Sequence, residues 1–77
     1  MMLKIKQVSE ELGVPVSTIR FWQKEFAEFV SPERTDGGQR RYSEGDLAAL
    51  VQIKDLVYGK KMPIDLAREK LKRKQSG

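Results

Sequence analysis

The residues best suited to chemistry lie in one short stretch between positions 16 and 26. It supplies hydroxyls, an amide and two cations, from Ser17, Thr18, Arg20, Gln23 and Lys24. Groups of these kinds hydrogen-bond to base edges and neutralise phosphates when they enter a DNA major groove. The stretch therefore has the donors and acceptors of a nucleic-acid contact, although an ordinary amphipathic surface helix can have the same composition.

A helix is needed to bring these side chains onto one face. Ile19, Trp22 and Phe26 recur at i, i+3 and i+7, which predicts a helix over about 16–26 with Trp22 in the core. The polar residues then share the opposite face. We interpret this face as the one that the rest of the chain presents.

A shorter helix is predicted immediately upstream. Apolar residues keep a helical spacing over about 6–12 and stop at Gly13, which suits a left-handed helix end. Residues 3–5 alternate apolar and polar, which fits either a very short strand or an extended lead-in. Pro15 then breaks the chain. Helix, turn and helix are the outline of a helix-turn-helix unit, whose second helix inserts its N-terminal half into a groove.

Residues 32–42 predict a polar β-hairpin. The Asp-Gly-Gly turn at 36–38 is a strong hairpin signal, because glycine adopts the positive φ that the turn needs. We expect short strands near 32–34 and 40–42, and no core role for the hairpin because it has almost no apolar residues. A stiff wing of this kind reaches phosphates or a minor groove, here through Arg34, Arg40 and Arg41. The plainer interpretation is a solvated connection between helices.

A third helix begins after Ser43, which is a good N-cap, with Asp46 at the capping-box position. We expect the helix to continue as far as Gly59. Its apolar stripe is the longest in the chain and is expected to form much of the core; it comprises Leu47, Leu50, Val51, Ile53, Leu56 and Val57.

A fourth helix is introduced by Met62-Pro63, since proline is favoured at a first helical position. Its apolar face is narrow and its end is strongly basic. Lys60 and Lys61 lie between the third and fourth helices. They form either a second phosphate contact or ordinary charges near the negative end of a helix.

Composition limits the function. The 77 residues form one domain, 1–77, with a net charge of +4 and a sequence pI of about 9.6, which suits a polyanionic partner. Without cysteine or histidine, the chain lacks disulfides, the usual zinc sites and Cys- or His-based catalysis. Scattered carboxylates give no acid/base pair, so we expect no enzyme, no catalytic residues, no metal and no cofactor. We also expect no membrane span and a cytoplasmic, nucleoid-associated protein.

Taken together, these motifs resemble the DNA-binding domain of the MerR family of bacterial transcription regulators. The resemblance covers about residues 3–72. It rests on Thr18-Ile19-Arg20-Phe21-Trp22, Lys24-Glu25-Phe26, the segment from Arg34 to Gly38-Gln39-Arg40-Arg41-Tyr42, Ser43-Glu44 and Asp46-Leu47.

The resemblance implies a mainly α, winged helix-turn-helix fold of about four helices with a small β-hairpin wing. It places one set of residues at the groove and its flanking phosphates: Ser17, Thr18, Arg20, Phe21 and Lys24. A second set belongs to the wing pattern: Arg34, Arg40, Arg41 and Tyr42. Tyr42 has an alternative role, which is to lock the wing to the core.

The resemblance also implies partners: double-stranded DNA with an inverted repeat in a promoter, and RNA polymerase for activating members. Family regulators continue into a dimerising helix and an effector domain. We therefore expect this chain to be an excised domain, monomeric by itself and dimeric in the full-length protein. Two alternatives stay open. One is an excisionase-like architectural DNA-bending protein; the other is a protein-interaction module that uses Phe26, Phe29 and the stripe of the third helix.

Overall fold

The computed structural model describes residues 2–35 and 37–76, and side chains as far as Lys74. Asp36, part of the predicted hairpin turn, lies outside the described residues.

The predicted helix-turn-helix is confirmed to within one residue at each boundary. Helix α1 spans Ile5–Leu12 and helix α2 spans Val16–Glu25. Gly13 ends α1 with φ 70°, and its backbone N–H donates to the Ser9 carbonyl over 2.8 Å. This left-handed conformation is one that glycine adopts without a steric penalty. Only residues 13–15 separate α1 from α2.

Three short strands form an antiparallel sheet in the order β1-β3-β2: β1 Leu3–Lys4, β2 Glu33–Arg34 and β3 Arg40–Tyr42. The hairpin prediction is therefore confirmed for β2 and β3. Of the two interpretations left open for residues 3–5, the strand is correct. Leu3 pairs with Tyr42 and Lys4 with Arg41, so the start of the chain is joined to the wing.

Helix α3 spans Glu44–Lys54 and begins with the predicted capping box. Ser43 Oγ accepts from the Asp46 N–H at 3.1 Å, and Asp46 Oδ2 accepts from the Ser43 N–H at 3.0 Å. The helical stretch ends at Gly59, as predicted, but its last five residues, Asp55–Gly59, widen into a π-helical turn. Within this turn the Tyr58 ring meets the Trp22 ring edge-on, with 5.3 Å between the ring centroids.

Helix α4 spans Ile64–Ser76. The sequence predicts Pro63 at the first position of this helix. In the structure Pro63 lies one residue before that position. Its carbonyl accepts the first helical bond, from the Ala67 N–H at 3.0 Å. A proline in this place costs nothing, because residues at a helix start have no intrahelical partner for their N–H groups.

One core joins all four helices and the end of the wing. Its buried members are Val8, Leu12, Val14, Ile19, Trp22, Phe26, Val30, Tyr42, Leu50, Ile53, Leu56, Ala67 and Leu71. Burying each large aliphatic side chain contributes roughly 1.5–3 kcal/mol. Two predictions are wrong here: that Val51 belongs to the core stripe, and that the hairpin has no role in the core. Val51 is 49% exposed, because it lies about 100° around α3 from the buried Leu50, and Tyr42 carries the wing into the core.

Candidate nucleic-acid interface

Helix α2 presents a polar outer face, as the sequence predicts. Ile19 and Trp22 are buried on its inner side. On the outer side, Ser17, Arg20, Phe21 and Lys24 are exposed, while Thr18 and Gln23 are half-buried. Pro15 precedes the helix and offers no side-chain cap. The accessible hydroxyls, cations and Phe21 ring thus lie on the surface that can approach a groove.

The base of the wing is bonded directly to α2. Tyr42 has no exposed surface, and its hydroxyl donates to Gln23 Oε1 over 2.6 Å. Burial raises the pKa of Tyr42 above 10.0, against an opposing effect from the charges of Arg40 and Arg20. The phenol therefore stays protonated and donates its hydrogen bond at any physiological pH.

This bond changes the roles of two predicted contact residues. Tyr42 cannot touch a ligand from within the core, so the structure supports its alternative role as the link between wing and core. Gln23 uses one lone pair of its carbonyl oxygen for Tyr42, which leaves its NH₂ group and the second lone pair for another partner. Both residues hold α2 and β3 in a defined relative position.

Arg20 and the wing border the same cleft. This cleft has a volume of about 390 Å³ and is lined by Lys4, Ile5, Lys6, Arg20, Gly38, Gln39, Arg40 and Arg41. The exposed face of α2 and the wing therefore lie on one side of the molecule. That arrangement is the one that a duplex needs if it is to touch a helix and a wing at once.

Two cleft cations, Lys4 and Lys6, were not among the predicted site residues. Strand β1 carries Lys4 to the edge of the wing, opposite Arg41, and Lys6 follows in the first turn of α1. The available signal was the alternation in residues 3–6, where lysines flank an apolar residue. Alternation shows that a strand is possible but not which strand it joins, so the sequence did not place these lysines beside the wing.

The remaining wing arginines differ in exposure. Arg34 is exposed on the edge strand β2 and stands opposite Arg40 in the register. Arg41 is half-buried, and its Nη1 donates to the Arg40 carbonyl at 3.3 Å. Arg34 is therefore freely available to a ligand, and Arg41 keeps most of its donors.

The loop at residues 60–61 lies apart from this cleft. Lys60 and Lys61 are exposed, and Lys61 adopts a left-handed φ of 54°, which is uncommon for a residue with a side chain. Lys60 borders a different groove, together with Lys70 and Lys74 of α4. The structure does not bring this pair together with the wing arginines, and their predicted phosphate contact stays a prediction.

Ion pairs hold the far end of α2 to α4. Arg68 Nη2 lies 3.0 Å from Glu25 Oε1, and its Nε donates to the Glu25 carbonyl at 2.9 Å. Lys72 pairs with Glu28 at 3.4 Å. Arg68 also lies 6.0 Å from the centre of the Phe26 ring. These contacts satisfy the terminal carbonyl of α2 and fix the direction in which the helix leaves the core.

Neither a metal centre nor a membrane helix emerges from the described residues. Within residues 2–35 and 37–76, no cluster of acidic, histidine or cysteine side chains could hold an ion. The helices of the same part of the chain are all too short or too polar to cross a bilayer.

The protein-interaction alternative required an exposed apolar stripe. Phe26 and Leu50 have no exposed surface, and Phe29 and Val57 are partly buried against the same core. Most of that stripe is therefore covered within one chain, with Val51 as its exposed member, and the exposed polar face of α2 is the more distinctive surface.

Comparisons with known proteins agree with this fold. The family model "MerR HTH family regulatory protein" matches residues 3–74. The HTH-type transcriptional regulator YfmP of Bacillus subtilis (strain 168) is 43% identical over 51 residues, which cover 66% of this chain and 36% of YfmP. The HTH-type transcriptional repressor CarH of Myxococcus xanthus is 38% identical over 53 residues, which cover 69% of this chain and 17% of CarH. The matched part is thus a minor fraction of both relatives.

Two solved structures share the architecture across the whole chain. HiNmlR, a MerR family regulator lacking the sensor domain and bound to promoter DNA, superposes with a TM-score of 0.81 at 22% identity and is covered over 57% of its length. A MerR family transcriptional regulator from Bacillus thuringiensis gives 0.74 at 26% identity and is covered over 66%. The predicted fold class, mainly α with a small sheet, is confirmed. Because the family model matches residues 3–74 of the 77, this chain belongs to the MerR HTH family of regulatory proteins and comprises that family's DNA-binding helix-turn-helix domain.

Proposed function

We propose that this domain binds promoter DNA by inserting α2 into a major groove while the wing grips the adjacent backbone. The observation that carries the proposal is the shared cleft: Arg20 of α2 and Arg40 of the wing border one surface. In this arrangement the exposed side chains of α2 read bases and the arginines around the cleft hold phosphates. HiNmlR, which has the same fold, was solved with promoter DNA.

The individual residues then take distinct roles. Ser17 and Thr18 lie in the N-terminal half of α2, the part of a recognition helix that meets base edges, whereas Arg20 borders the cleft and holds phosphate. Phe21, which is 49% exposed, offers its ring to thymine methyl groups or to sugars. Lys24, Arg34 and the cleft cations neutralise phosphates on either side.

At the level of the whole protein, we propose a longer regulator in which two such domains bind an inverted repeat. The relatives YfmP and CarH extend well beyond the matched part, and a two-fold symmetric operator requires a two-fold symmetric protein. RNA polymerase is the partner for activation, and the site of action is chromosomal DNA in the cytoplasm. Membership of a regulatory family favours this function over the architectural DNA-bending alternative.

The test is a salt titration of duplex binding, followed by fluorescence anisotropy. The logarithm of the association constant should fall with log salt at a slope of about −3 to −6 per domain if that many phosphates are neutralised. Arg20→Ala and Arg40→Ala should each weaken binding and make the slope shallower by about one. Arg73→Ala is the matched control, because it removes the same charge from an exposed position on α4.

Two results would count against the proposal. If Arg20→Ala and Arg40→Ala both bind as tightly as the unmodified protein, the cleft is not the contact surface. If a footprint of the full regulator falls on a recombination attachment site and not on a promoter, the architectural alternative is correct.

A further inference from the structure

The cleft between β1, α2 and the wing concentrates positive charge. Its lining, within the described part of the chain, includes Lys4, Lys6, Arg20, Arg40 and Arg41 and no acidic residue. Across the described part of the chain, the ion pairs involve only cations of α4: Arg68, Lys72 and Arg73. The acids of these ion pairs are engaged by α4, so none of them neutralises a cation of the cleft.

The sheet that forms one wall of the cleft pairs like charges. Lys4 stands opposite Arg41 across β1 and β3, and Arg40 stands opposite Arg34 across β3 and β2; on its other side Arg41 stands opposite Glu33 of β2. Like charges directly opposite each other on neighbouring strands are destabilising. An anion bound in the cleft reduces this repulsion, because at least one member of each pair, Lys4 or Arg40, lines the cleft.

Arg40 also has an unmet hydrogen-bond donor. Its Nε is inaccessible to solvent and has no partner among the described residues. Buried donors are almost always paired in folded proteins, since leaving one unpaired costs free energy. An acceptor in the cleft can complete the hydrogen bonding of Arg40 Nε once the side chain turns toward it.

We propose that this cleft is a seat for one backbone phosphate of the duplex, with Lys4 and Lys6 as its outer wall and Arg20 and Arg40 as its inner wall. The inference rests on the proposed function and goes beyond it, because it assigns DNA contact to β1 and to the start of α1. The ligand is a phosphodiester, which carries a single negative charge and two accessible oxygens. The seat lies where the recognition helix meets the wing, so it fixes how deeply α2 enters the groove.

The first experiment compares two double variants that lose the same charge. Lys4→Gln/Lys6→Gln removes the outer wall, and Lys70→Gln/Lys74→Gln removes two exposed cations of α4. We expect the first variant to bind duplex several-fold more weakly, with a log–log salt slope shallower by about one. The control should keep a slope close to that of the unmodified protein. Unchanged thermal unfolding in both variants verifies that the fold is intact.

The second experiment locates the phosphate. A duplex selected by the unmodified protein is resynthesised with one neutral methylphosphonate linkage, moved stepwise along each strand. At the seated position the neutral linkage should weaken binding of the unmodified protein but should add little loss to Lys4→Gln/Lys6→Gln. If the neutral linkage weakens the unmodified protein and the variant equally at every position, the proposal is overturned.

The outcomes separate the seat from the function as a whole. If the unmodified protein binds no duplex, the proposed function fails. If it binds with a steep slope while the two double variants behave alike, DNA binding stands and the seat is overturned. Adding inorganic phosphate gives a third arm: NMR shifts at residues 4–6 and 38–41 with no slope difference between the variants would assign the cleft to a free anion instead.

Discussion

Asp46 forms hydrogen bonds at both ends of the wing, and its removal should lower the free energy of unfolding substantially. Its carboxylate accepts from the Ser31 N–H through Oδ1 and from the Ser43 N–H through Oδ2, each at 3.0 Å. Ser31 immediately precedes the wing and Ser43 immediately follows it. Only 8% of Asp46 is exposed, so water replaces these bonds poorly once the carboxylate is gone.

The magnitude follows from these two bonds. A hydrogen bond to a charged group contributes about 1.5–3 kcal/mol. Because Ser31 is exposed and its N–H can be hydrated, we expect Asp46→Ala to lower the free energy of unfolding by about 2–4 kcal/mol in total. A domain of this length has only about 4–12 kcal/mol, so the melting temperature should fall by roughly 10–25 °C. Asp46→Asn keeps one acceptor and should lose about half as much.

Urea unfolding followed by circular dichroism measures the loss, and Glu44→Ala is the matched control. Glu44 is an exposed acid in the same first turn of α3, so it shares the helix-dipole interaction of about 0.3–1 kcal/mol but bridges nothing. Hydrogen exchange at residues 32–42 should accelerate in Asp46→Asn before the core is affected. If Asp46→Ala costs no more than Glu44→Ala, the carboxylate does not join the two ends of the wing.

Three further predictions concern the contacts that Tyr42 and Arg68 make with α2, and the wing turn at Gly38. Burial holds the pKa of Tyr42 above 10.0, so the folded state keeps this proton where the unfolded state loses it: stability is full below about pH 10 and falls as pH rises toward the folded pKa. Tyr42→Phe should flatten that fall in urea titrations and cost about 1 kcal/mol at neutral pH; an unchanged alkaline slope would refute the burial argument. Arg68→Ala should lower the free energy of unfolding by about 1–2 kcal/mol, allowing for its partial exposure, whereas Arg73→Ala should be nearly neutral by the same measurement. Gly38→Ala should cost about 1 kcal/mol because Gly38 has a φ of +78°, whereas Gly45→Ala in α3, where the added Cβ lies at an ordinary 3.6 Å from Ser43 Oγ, should not; equal melting temperatures would show that the wing turn tolerates a side chain.

Local signals were sufficient for the elements and for most of the exposed candidate site. Gly13 and the Ser43–Asp46 capping box act through hydrogen bonds between residues three to five positions apart, and the apolar spacing of α2 is likewise a local pattern. Such bonds depend on neighbouring residue types alone, so helix starts, turns and the outward face of α2 could be predicted. The resemblance to the family depended on the same stretches.

Only the tertiary structure decided what those elements do to one another. The pairing of Lys4 with Arg41, the hydroxyl of Tyr42 on Gln23 and the second bond of Asp46 join residues far apart in the chain. Each depends on which surfaces meet once the core closes, and many partners are compatible with the same local pattern. The sequence alone therefore determined a polar recognition helix and an arginine-bearing wing, whereas the packing of the buried side chains determined that both border one cationic cleft.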